Sequence, residues 1–189
     1  MNTRKISLLV GAFVLVLAII ACTINIGGPT YPTPAIPVST EAVGELQSAL
    51  QTAVAAGAES GQITLVFTEP QLTSYLAYKL QSQTQFQITN PQVYLQNGQL
   101  QVYGTASQGY FQVTASIVLT AGVDAQGQLK IELASVNFGP LPVPDGLKEL
   151  VTATIQEAYM GALGPVATGF RLQSVTIADG TMTIVGQTK

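Results

Sequence analysis

The chain predicts an α+β domain: a curled antiparallel sheet with about three helices packed on one face, placed after an apolar leader and a proline-rich linker. Three observations predict it. Stretches between residues 86 and 138, and between 170 and 186, alternate apolar and polar residues, the period of half-buried strands. Tight-turn pairs such as Asn97-Gly98 join consecutive stretches, and strands joined that way are antiparallel. Three further segments repeat apolar residues at helical spacing, and residues 41–189 suffice for one domain with its own core. One-sided alternation implies helices on one face of the sheet and water on the other.

The first element is the leader. Arg4 and Lys5 precede an unbroken apolar run, Leu8 to Ile20. Thirteen residues are short for a membrane span, which needs about 20, and fit the apolar region of an export signal. Cleavage after Ala21 would place Ile19 at the −3 position, a poor fit to the small residues that ordinary signals carry there. Ile19, Ile20, Ala21 and Cys22 instead resemble the lipobox of bacterial lipoproteins. That resemblance implies that residues 1–21 are removed, that Cys22 becomes the N-terminus, and that its thiol carries a diacylglycerol, with acyl chains of the palmitate kind. Two or more acyl chains anchor a protein stably, where one holds it only marginally. The alternative is an uncleaved span over 8–26. Both readings put Arg4 and Lys5 inside and everything after residue 26 outside, anchored to a bacterial membrane.

Residues 22–40 read as the lipidated N-terminus and linker. Four prolines in GGPTYPTPAIPVST (27–40) forbid helix and favour an extended chain of about 3.1 Å per residue, a spacer of roughly 40 Å. Ser39 or Thr40 then caps a helix carrying Val43, Leu46, Leu50, Ala53 and Val54 on one face, which Gly57 weakens and Gly61 stops. Gln62–Phe67 reads as a strand. Thr68 caps a second helix, with Gln71 at the reciprocal capping-box position and Leu72, Tyr75, Leu76 and Leu80 as its stripe.

The main sheet begins near Phe86. Asn97-Gly98 closes its first hairpin. Tyr110–Val123 is a long strand. Phe111, Val113, Ala115, Ile117, Leu119, Ala121 and Val123 form its inward row. Gln112, Thr114, Ser116 and Thr120 form the other, with Val118 its apolar exception. DAQG (124–127) turns the chain. Leu129, Ile131 and Leu133 then alternate, and Val136 and Phe138 shift phase, so a bulge is expected near Ala134–Ser135. GPLPVP (139–144) breaks the sheet. Asp145 caps a third helix with Leu147, Leu150, Val151, Thr154, Ile155 and Ala158 inward. The end is a hairpin, 170–178 and 181–186 around Asp179-Gly180, with a phase shift between Leu172 and Val175.

Composition excludes several functions. Cys22 is the lone cysteine, so no internal disulfide forms. Formal charge is 7 − 10 = −3, and becomes 5 − 10 = −5 once Arg4 and Lys5 are removed. A mildly acidic domain with few Lys and Arg is a poor ligand for nucleic acid or for anionic lipid headgroups. With no histidine, Ser–His and Cys–His triads are impossible, and metal sites would be left with carboxylates; no metal or other cofactor is expected. The acids read as structural: Asp124 and Asp179 in turns, Asp145 as a cap, Glu41, Glu45 and Glu69 in first helical turns, Glu132 and Glu149 facing water. The domain is therefore read as non-catalytic. Lys79 stands four residues after Tyr75 and is either a snorkelling surface lysine or a cation at the mouth of a pocket.

Three runs carry a wider resemblance: ITLVFTEPQLTSYLAYKLQSQ (63–83), NPQVYLQNGQLQVYG (90–104) and VNFGPLPVPDGLKEL (136–150). They resemble the YpmS-type envelope-anchored bacterial proteins, over about two-thirds of the domain. That resemblance implies a long curled sheet wrapping a helix, as in lipid-binding folds, and transfers no functional residue. A strand as long as 110–123 also favours a curl, which closes on either a solid core or an apolar groove. Two functions are expected from this. In one, a lipid or other apolar molecule binds in a groove lined by Phe111, Val113, Ala115, Ile117 and Leu119, with Lys79 at its mouth. In the other, a solid domain acts as an interaction module through its Gln/Thr/Tyr face.

Overall fold

The computed structural model describes residues 24–81, 87–108, 111–140, 142 and 169–189. Ten elements follow one another: β1 (Ile24–Asn25), α1 (Thr40–Ser60), β2 (Gln62–Thr68), α2 (Glu69–Gln81), β3 (Gln87–Gln96), β4 (Gln99–Gln108), β5 (Phe111–Val123), β6 (Leu129–Asn137), β7 (Phe170–Ala178) and β8 (Thr181–Thr188). The class is α+β, as the sequence predicts. The two described helices are the first two expected ones; the third, from Asp145, lies outside the described residues.

Local chemistry sets the helix ends. Ser39 is extended, and its Oγ accepts from the Ala42 N–H at 3.1 Å, so Ser39 is the N-cap of α1. Gly61 ends that helix at φ 74° and returns its N–H to the Gly57 carbonyl. Thr68 and Gln71 form the expected reciprocal pair: Thr68 N–H donates to Gln71 Oε1 at 3.1 Å, and Gln71 N–H donates to Thr68 Oγ1 at 3.4 Å. Asn97-Gly98 and Asp179-Gly180 both turn with positive φ at each position, the geometry that a two-residue hairpin loop needs and that Asn, Asp and Gly tolerate.

The strands form two sheets, where one was expected. In the five-stranded sheet β5 pairs with β4 and β4 with β3. The other edge of β5 is shared: β6 covers Ser116–Val123, and β1 runs parallel beside Phe111 and Gln112. The second sheet has the order β2-β8-β7, with Ile63 opposite Gly186 and Leu65 opposite Ile184. Neither sheet closes on itself. The bulges fall where the phase shifts: β6 skips Ala134 opposite Val118/Leu119, and β7 skips Gln173 opposite β8. A third bulge, at Asn90-Pro91 in β3, left no mark on the alternation.

The terminal hairpin pairs with β2, and β3 forms the outer edge of the large sheet. Helix α2 lies along that edge. Glu69 Oε1 accepts from the Leu95 N–H at 2.8 Å, and Thr73 Oγ1 accepts from the Val93 N–H at 2.9 Å. Four helical residues rise about 6 Å and two strand residues about 6.8 Å, so positions i and i+4 of the helix meet alternate strand amides. Four residues on from Thr73 stands Ala77, with no side-chain acceptor, and two residues before Val93 stands Pro91, with no N–H to offer. Of the expected stripe of α2, Leu72 and Tyr75 pack against the main core, but the most buried residues of the helix lie beside that stripe. Thr73, Ser74 and Ala77 are its buried residues, and Leu72, Tyr75, Leu76 and Leu80 are half-buried.

The main core joins Leu46 of α1, the inward rows of the small sheet (Ile63, Leu65, Phe67, Met182, Ile184) and Leu95, with Ala121, Val123 and Leu129 from the far end of the large sheet. Each fully buried Leu, Ile or Phe contributes about 1.5–3 kcal/mol. Gly57 is buried here because the Phe170 ring occupies the place of a side chain: a Cβ would stand 2.9 Å from it. A second, smaller cluster lies at the other end of β5, where Val113, Ala115 and Phe138 are buried with Ile26, Ala106 and Val136 around them.

The segment expected as a free spacer is docked on the large sheet. Ile26 N–H donates to Gln112 O and Thr114 N–H to Gly27 O, both at 3.0 Å, which continues β1 along β5. Gly28 and Gly139 then touch backbone to backbone; a Cβ on Gly28 would run into the Thr114 carbonyl. Residues 31–36 cross the face opposite the core, and Ser39 N–H ends the crossing on Ser74 Oγ. The sheet's second face is therefore covered in part by the chain's own N-terminal segment, where water was expected. An extended proline-rich chain has the same local conformation free or docked, so only its partners decide.

Candidate functional site

The predicted groove residues share one face of β5, as their period requires. Their register partners on β4 are Ala106, Gly104, Val102 and Leu100 for Val113, Ala115, Ile117 and Leu119. Their burial is uneven. Val113, Ala115 and Leu119 are buried, and Phe111, at the strand's start, is 52% exposed. Between the two buried clusters, Ile117 and both its register partners, Val102 on β4 and Val136 on β6, are half-buried. This makes an apolar strip three strands wide in the middle of the long sheet.

Lys79 is not brought to this row. It is exposed on α2, which lies along β3, two strands from β5, and its Nζ stands 5.8 Å from the Tyr75 ring centroid. Cys22 lies outside the described residues. Asp145, Glu149 and Glu157 also lie outside the described residues, and three of the described acids have local partners, Glu69 on the Leu95 N–H among them. Asp124 accepts from the Gln126 and Gln128 amides at 2.9 and 2.8 Å, and Glu132 pairs with Lys130 at 2.8 Å on the surface. Among the described residues no cluster of three Asp, Glu, Cys or His could hold a metal, and no helix is long and apolar enough to cross a membrane.

Sequence reasoning missed the site on the opposite face. Gln92, Tyr94, Tyr103 and Thr105 share that face with Ser116, and the crossing segment 31–36 lies on them. The Gln92 carboxamide imitates a strand partner: Oε1 accepts from Ile36 N–H at 2.6 Å and Nε2 donates to Ile36 O at 3.0 Å. The Tyr94 hydroxyl is 2.9 Å from Pro32 O and 3.2 Å from Pro34 O, with one proton to donate between them. Tyr31 lies against Tyr103, ring centroids 5.9 Å apart, with its hydroxyl 3.0 Å from Thr105 Oγ1. Burial pushes the Tyr94 hydroxyl above the ordinary tyrosine range, and the Glu69 charge adds to the rise. Burial raises Tyr31 too, against the lowering effect of its bond to Thr105. The signal was present as two tyrosines and a glutamine on a row assigned to water, and as Tyr31 and Ile36 in a supposed spacer.

The sequence matches no protein-family profile and no curated protein. Among solved structures, the comparison returns one described as "Crystal structure of lipopolysaccharide binding protein", at a TM-score of 0.31 and 11% identity, over 79% of this chain and 47% of that one. The chain thus spans about half the length of that protein.

Proposed function

We propose that this chain is an extracytoplasmic lipoprotein, held at a bacterial membrane by acyl chains on Cys22, whose domain takes a lipid or other apolar molecule without acting on it chemically. The observation that carries the binding reading is the half-buried strip of Val102, Ile117 and Val136 between two closed clusters. Apolar area left half-exposed in a row is what an apolar ligand would cover. The competing reading, an interaction module working through the Gln/Thr/Tyr face, loses surface, because Gln92, Tyr94 and Ser116 on that face are buried. The anchor reading rests on Ile19–Cys22 and the apolar run before it.

The test uses the full chain made in a bacterial host. Native mass spectrometry of the purified protein should find co-purifying lipid. Ile117→Trp should be tolerated and should reduce that lipid, since the larger ring fills the strip. If the wild type carries no lipid and Ile117→Trp costs the roughly 1–3 kcal/mol of an overpacked core, the binding reading fails. Cys22→Ser should abolish acylation; equal incorporation of labelled fatty acid into both forms would sink the anchor reading.

A further inference from the structure

Charge is distributed unevenly over the fold. Residues 80–123 contain no Asp, Glu, Lys or Arg, nor do residues 6–40 or 133–144. These stretches include all of β1, β3, β4 and β5 and the end of β6. The charged side chains of the described residues lie on the helices, on β6 near its start, on the small sheet and its turn, and in the Asp124 turn. Among the described residues, the strands at the end of the large sheet where β4 stops at Gln108 and β5 starts at Phe111 therefore carry no formal charge, and the exposed Lys79 of α2 lies toward that end along β3.

Two further facts meet at that end. Among the described residues, Phe111 is one of the few large apolar side chains more than half exposed, and buried Val113 of the smaller cluster follows it on the same face of β5. The N-terminal segment also enters the sheet there. Ile24 is opposite Phe111, and the chain runs inward along β5 to Gly27, bonded to Thr114. Cys22 is two residues before Ile24, a reach of roughly 7 Å at most. A phospholipid headgroup layer is about 5–8 Å thick on each side of the bilayer. A free spacer would have held the domain some 40 Å away at about 3.1 Å per residue, but this segment is bonded to the sheet through Ile26, Gly27 and Ile36 and to α2 through Ser39, and gives no such length.

We propose that this end of the large sheet, at Gln108 and Phe111, rests in the headgroup layer of the membrane, with Phe111 as its contact with the acyl region. This rests on the reading of Cys22 as the acylated N-terminus. Strands that carry no formal charge bring no ion of their own to desolvate there, and an exposed aromatic ring gains from leaving water.

The chain contains no tryptophan, so a single introduced one reports its own site. Phe111→Trp and, as the opposite end, Gln126→Trp are made in the full acylated protein and reconstituted in phosphatidylcholine vesicles with brominated acyl chains. The indole of the Phe111→Trp variant should emit to the blue and be quenched severalfold more than that of Gln126→Trp. Equal quenching in the two variants, or none in Phe111→Trp protein that floats with vesicles and carries acyl groups on Cys22 by mass spectrometry, overturns the orientation and leaves the anchor standing. Protein that neither floats nor carries acyl groups overturns both.

Discussion

Gln92→Ala tests whether the N-terminal segment is part of the fold. The substitution removes two bonds at once and strands the N–H and C=O of Ile36, itself only 9% exposed. An unpaired buried backbone group costs about 1–3 kcal/mol. Residues 35, 37 and 38 on either side are exposed, so some water reaches the gap, and the lower half of that range applies to each group. The expected loss is about 3 kcal/mol, which for a domain of this size lowers Tm by roughly 6–12 °C. Thermal melts of the full chain measure it, and limited proteolysis between residues 29 and 38 should quicken in parallel. Gln92→Glu sharpens the test. A carboxylate can accept from Ile36 N–H but faces the Ile36 carbonyl with no proton to give, so its folded-state pKa lies above the unfolded value of about 4.3. The variant's stability is then fullest below that value and is lost as pH rises through the folded pKa. A Gln92→Ala protein that melts within about 2 °C of the wild type, with no new cleavage in that segment, would refute the reasoning.

Two further outcomes are expected. Tyr94 is neutral in the fold and donates its proton, and burial raises its pKa, so the unfolded state ionises first; stability is whole below the ordinary tyrosine pKa of about 10 and falls as pH rises through the folded value. Urea melts between about pH 8 and pH 11, a window spanning the ordinary tyrosine pKa, should show this fall begin, and Tyr94→Phe should reduce it at a cost of about 1 kcal/mol at neutral pH. In α1, Gly44→Ala should stabilise by up to about 1 kcal/mol, since nothing stands within 4 Å, whereas Gly57→Ala pushes on the Phe170 ring and should lose about 1–3 kcal/mol less that gain; melts giving both variants the same sign would contradict the packing described for Phe170.

The residues of the apolar strip were legible as a row, because a strand's side chains alternate whatever packs on them. Their burial was not legible. Val113 and Leu119 are closed over and Ile117 is half open, which depends on Phe138, Ile26 and the small sheet, elements distant in sequence. Lys79 was tied to the same site by helical spacing alone, and the path of α2 along β3 takes it elsewhere.

By itself the sequence determined everything whose cause is local. Ser39, the Thr68–Gln71 pair and Gly61 end helices through bonds and φ angles spanning a few residues. Asn97-Gly98 and Asp179-Gly180 turn because those residues accept positive φ, and two bulges show as breaks in a period of two. Tertiary structure alone decided which edges meet. An alternating strand states that it needs a partner and a cover but not which: β2 found β8, at the far end of the chain, and α2 took the β3 edge through Glu69 and Thr73. It also decided the fate of the proline-rich segment. Proline sets an extended backbone and leaves its carbonyls unpaired, and those carbonyls are satisfied equally by water or by a tyrosine hydroxyl. The choice fell to Gln92 and Tyr94, far downstream in the chain, whose polar atoms are buried and need the partners that residues 32–36 supply.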